Sequence, residues 1–140
     1  MKLATFGAVM RFAIEREAEA ERRYLAAAGA GVAPDYLEAL ARSRRKRRQA
    51  LERARQENVA EMILESIHDL DGDDFAVTPS ALDAPPLEVL GRLADFEAAT
   101  ARFHDVAAEK VGLAEVARQL TRLAKDSRGE ADSLRALSAR

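Results

Sequence analysis

Four stretches of this chain place apolar side chains at alternating steps of three and four residues, and polar residues interrupt each seam near its middle. A helix turns once in 3.6 residues, so such steps return to one face and leave a stripe that must pack on other helices. The first seam reads Leu3, Phe6, Met10, Ala13, Glu17, Ala20, Tyr24, Ala27, and the second Leu37, Leu40, Arg44, Arg47, Leu51, Ala54. The third reads Leu90, Leu93, Glu97, Thr100, His104, Ala107, Val111, and the fourth Leu113, Val116, Leu120, Leu123, Ser127, Glu130, Leu134, Leu137. A chain with this pattern is constrained to a helical bundle with one polar layer across an apolar interior.

Turn signals divide the seams. "GAGVAP" (29–34), "HDLDGDDFAVTPSALDAPP" (68–86) and "VGL" (111–113) carry the Gly and Pro residues that end and start helices. They predict helices over about 3–28, 34–67, 87–111 and 114–138. The connections run short, long, short. Short ones make antiparallel neighbours, and the long one over 68–86 lets two hairpins pair through a crossover. The expected fold is an all-α antiparallel four-helix bundle forming a single domain over 1–140. Composition agrees, because an Ala-, Leu-, Glu- and Arg-rich chain with only five Phe, two Tyr and no Trp has little strand-forming character.

The absence of Cys excludes disulfides, thiolate metal centres and cysteine nucleophiles. The opening "MKLATFGAVM" runs straight into Arg11, Glu15 and Arg16 without a small-residue cleavage site, so a cytoplasmic chain is expected. No apolar run approaches a membrane span, and no membrane partner is expected.

The run "RSRRKRRQAL" (42–51) holds six basic residues within positions 42–48. The seam splits it by face. Arg42, Arg45 and Lys46 point away as a solvated face, whereas Arg44 and Arg47 point along the interior stripe. No aromatic interleaves the run and the net charge is -2, so no nucleic-acid partner is expected.

The polar breaks match in height. Glu17 lies about twelve residues before the first turn and Arg44 about ten after it, nearly level at 1.5 Å per residue. Glu97 and Ser127 flank the second turn equally. Glu17 to Glu97 is 80 positions and Arg44 to Ser127 is 83, so the hairpins read as a repeat with one polar layer each.

On these residues the chain resembles the rubrerythrin branch of the ferritin-like family, which carries a di-iron site at mid-bundle. That family supplies one Glu from each of its first and third helices, often in E-x-x-A-x-x-x-Y, and E-x-x-H from each of the second and fourth. "EAEAERRY" (17–24) fits the first pattern through Glu17, Ala20 and Tyr24, and "EAATARFH" (97–104) fits the third with Thr100 and His104 substituted. "LARSRRKRRQAL" (40–51) and "LAKDSRGEADSL" (123–134) resemble the paired ligand segments. The resemblance implies a ferritin-like bundle, but the second helix carries Arg44 and Arg47 where Glu and His belong. The fourth carries Ser127 and Glu130. Guanidinium is a permanent cation with no lone pair for a metal.

The layer therefore sets Glu17, Glu97 and Glu130 against Arg44 and Arg47. Buried carboxylates need counter-charge, and two guanidinium forks can supply it. The expected site is a buried salt-bridge network at Glu17, Arg44, Arg47, Glu97, Ser127 and Glu130, with Tyr24 and His104 beside it and no cofactor. The expected role is binding, assembly or regulation without catalysis. The alternative is a remodelled mono- or di-metal site in an iron-handling or peroxidase-like oxidoreductase, with a single iron, manganese or zinc ion held by Glu17, Glu97, His104 and Glu130 as its mono-metal form. His104 also reads as a core histidine, and Tyr24 as a core tyrosine bonded through its hydroxyl.

The acidic "HDLDGDDF" (68–75) fails as an EF-hand, since counting from Asp69 the sixth position is Asp74 and the twelfth Ser80. It is expected as an exposed crossover loop. A homodimer is expected, because a second helix running to 67 would carry Met62, Ile63 and Ile67 beyond the bundle.

Overall fold

The structure is a computed structural model and describes residues 1–60, 65–77 and 82–139. Four helices account for most of it: α1 Phe6–Gly29, α2 Pro34–Glu57, α3 Pro86–Lys110 and α4 Ala114–Ser138. Among the described residues there is no strand, only two isolated antiparallel bridges, Lys2 with Asp71 and Thr5 with Ser66. α1 packs on α2 and α3 on α4 as hairpins, and α1 also packs on α3. No helix among the described residues is long and apolar enough to cross a membrane.

Local chemistry sets the helix ends. Thr5 caps α1 by accepting a hydrogen bond from the Ala8 amide at 3.1 Å. α1 therefore starts at Phe6 rather than at Leu3. Leu3 lies outside the helix, its amide bonded to the Leu70 carbonyl at 2.8 Å. Pro34 and Pro86 each open a helix, where a missing amide costs nothing. Gly31, at φ 88°, makes the turn between α1 and α2 that a side chain would resist.

α2 stops at Glu57, ten residues before the expected end at 67. The Asn58 side chain donates to the Ala54 carbonyl at 2.7 Å and so competes with the backbone for the helix end. The Ile67 amide bonds to the Ala4 carbonyl at 2.9 Å and the Ile67 side chain is buried in the core. Ile67 is thus not left bare beyond the bundle, and Met62 and Ile63 lie outside the described residues. The expected motive for a dimer is gone at the one position of the three that is described.

The acidic segment is also not a free loop. Gly72–Phe75 forms a 3₁₀ turn capped by Asp71, and Phe75 packs edge-on against Phe103 with ring centres 5.5 Å apart. Leu70 and Phe75 are buried, while Asp73 and Asp74 stay exposed.

The interior falls into two apolar clusters. One gathers Phe6, Met10, Leu51, Phe103 and Leu120 with the folded-back Ile67, Leu70 and Phe75. The other gathers Tyr24, Leu37, Leu40, Leu90, Leu93, Phe96 and Leu134. The polar residues that break the four seams sit between them.

Candidate functional site

All four helices contribute to this layer, and each delivers its residue by the heptad-like steps that bury its neighbours. Glu17 follows Ala13 and precedes Ala20 on α1; Arg44 sits between Leu40 and Leu51 on α2; Glu97 between Leu93 and Thr100 on α3; and Ser127 between Leu123 and Ala131 on α4. Glu17, Arg44, Glu97, Thr100, His104 and Ser127 are all buried.

Arg44 is the centre. Its side chain is 0% exposed, as are those of Glu17 and Glu97. Its Nε donates to Glu97 Oε1 at 3.1 Å and its Nη2 lies 2.7 Å from the same oxygen. Nη2 also contacts Glu130, and Nε is 3.6 Å from Glu17 Oε2. Burial alone disfavours the Arg44 cation, but Glu97 and Glu17 outweigh it and raise its affinity for its proton above the ordinary guanidinium value. One fixed cation thus serves three carboxylates on three helices.

The remaining members close the network. Arg47 donates to Glu130 at 2.7 Å and to the Ser127 hydroxyl at 3.4 Å. Arg47 and Glu130 lie at the edge of the layer, with 13% and 19% of their side chains exposed. His104 Nε2 and Glu17 Oε1 share a hydrogen bond at 3.1 Å. The Tyr24 hydroxyl donates to Glu97 Oε1. Burial, together with the Glu97 charge, pushes the Tyr24 phenol well above its usual range, so it stays a donor.

Every residue expected in the layer is therefore brought together. The basic run splits by face as its spacing predicts: Arg44 is inside, Arg47 half inside, and Arg42, Arg45 and Lys46 are exposed. The exposed side is not simply solvated. Arg45 and Arg48 both bind Glu21, at 2.7 and 3.0 Å, and the two guanidiniums hold that carboxyl below its usual range against the opposing effect of burial. Glu21 escapes a seam analysis because it lies one residue off the stripe, within reach of α2. A second feature also goes unread in the sequence. Arg16 bonds the Thr100 hydroxyl at 3.0 Å and lies over the Phe96 ring at 4.6 Å, and burial with the nearby Arg23 lowers its pKa to about 10.

The Arg44 guanidinium stands among the carboxylates of Glu17, Glu97 and Glu130, and His104 is turned to Glu17. Among the described residues no group of three or more His, Cys, Asp or Glu side chains is arranged to hold a metal ion. Comparison with known proteins finds no matching family model, curated protein or solved structure.

Proposed function

We propose that this chain is a ferritin-like bundle, similar to the rubrerythrin branch, in which an ion network stands where that family holds two irons, and that it acts by binding, assembly or regulation rather than catalysis. One observation carries the reading: the fully buried guanidinium of Arg44 lies against Glu17, Glu97 and Glu130 at mid-bundle. A guanidinium neutralises carboxylates as a metal cation does. It cannot change oxidation state, accept a ligand or polarise a bound water. The layer therefore holds the helices in register without offering redox or Lewis-acid chemistry.

The test rebuilds the family's ligand set. Arg44→Glu and Arg47→His on α2, with Ser127→Glu and Glu130→His on α4, restore Glu and E-x-x-H at the four positions. Titrated anaerobically with iron(II), this variant is expected to take up two irons per chain and the wild type none. A folded variant, checked by circular dichroism, that takes up no iron would overturn the ferritin-like reading.

A further inference from the structure

A surface groove of about 740 Å³ lies between α2 and α4. It has a physical origin. Above it Arg44 and Arg47 span the space from α2 to Glu130 and Ser127 of α4. Below the ion layer the groove is lined by the short, half-buried side chains of Ala50, Ala54 and Ala117.

The groove's charges are ordered. Glu57, the last residue of α2, and Glu115, the second of α4, stand at the end of the bundle, while Arg53, Arg118 and Arg122 stand deeper along the groove. All five are exposed and none makes an ion pair among the described residues. Arg53 and Glu57 are four apart on one helix, and Glu115 and Arg118 three apart, spacings at which such residues readily pair. By contrast Arg22, Arg45, Arg48, Arg92, Arg128 and Arg135 each pair with a carboxylate.

We infer that the occupant of this groove is a second copy of the chain, set against it across a two-fold axis perpendicular to the groove. Such an axis reverses the groove end for end, so the acidic end of each copy meets the basic stretch of the other. Two identical sets of contacts then form at once, the hallmark of an isologous interface. The alanine floor lets the helices approach closely. The inference stands on the groove alone and does not depend on what the ion layer does.

Sedimentation equilibrium of the full chain tests it. The wild type is expected at twice the 15.3 kDa chain mass, with the dimer weakening as salt rises from about 50 to about 500 mM. One variant makes the groove acidic, Arg118→Glu with Arg122→Glu. Another makes it basic, Glu57→Arg with Glu115→Arg. Each should weaken self-association about tenfold or more, and a mixture of the two should restore association as a heterodimer. All four positions are exposed, so both variants should keep the wild-type melting curve. A wild type that stays monomeric, as when the groove takes a foreign helix instead, overturns the inference. So does a dimer indifferent to both reversals, or a mixture that fails to associate.

Discussion

Replacing Arg44 with Leu removes the one cation that three carboxylates share. Glu97 loses contacts at 3.1 and 2.7 Å and, among the described residues, keeps the Tyr24 hydroxyl. Among the described residues Glu17 keeps His104, and Glu130 keeps Arg47. Glu17 and Glu97 are 0% exposed, and Oε2 of each has no hydrogen-bond partner among the described residues to compensate. The layer's three carboxylates against two guanidiniums become three against one. Stranding a buried charge in this way costs about 3–5 kcal/mol. For a chain of this length the unfolding entropy is about 0.3 kcal/mol/K, so the melting temperature should fall by roughly 10–17 °C. The assay is paired urea and thermal denaturation followed by circular dichroism at pH 7. Adding Glu97→Leu to Arg44→Leu removes the stranded charge and should recover at least half of the loss. An Arg44→Leu protein within about 1 kcal/mol of wild type, or a double variant no more stable than the single one, would show that Arg44 does not neutralise a buried charge.

Other outcomes follow from the same geometry. The Tyr24 phenol is held above its ordinary pKa in the folded chain, so its contribution is complete below the unfolded value near 10 and is lost as pH rises beyond it. The stability gap between wild type and Tyr24→Phe should therefore narrow above about pH 10, by up to about 1.4 kcal/mol per pH unit in alkaline denaturant titrations, and a constant gap would contradict the assignment. Arg47→Leu should cost only about 1 kcal/mol in urea denaturation, well below Arg44→Leu, because Arg47 and Glu130 are partly exposed and Glu130 retains Arg44. Phe75→Ala should cost about 3 kcal/mol by the same measurement, since Phe75 fills the core against Phe103; a loss near zero would mean that the acidic segment is a free loop after all.

The layer was legible in the sequence because it obeys a local rule. Glu17, Arg44, Glu97 and Ser127 fall on steps of three and four, and their heights follow from counting out from two short turns. Features that depend on distant backbone were not legible. Leu3 continues the α1 stripe, yet it lies in extended chain because its amide meets the Leu70 carbonyl. "VAEMILESI" continues the apolar character of α2, yet the helix ends at Glu57, where Asn58 caps it and Ile67 returns to the core. Phe75 left one faint signal, a lone aromatic among aspartates. The Glu17 to His104 contact joins residues 87 apart, and periodicity gives a position on a stripe but not the partner across it.

We propose that a guanidinium, rather than a metal, neutralises the carboxylates at mid-bundle. Elemental analysis of wild-type protein, grown with iron, manganese and zinc supplied and purified without chelator, addresses it most directly. No stoichiometric metal is expected, and the same content is expected in an Arg44→Lys variant that keeps the cation. One or more metal ions per chain, lost on replacing Glu17 or Glu97, would contradict it.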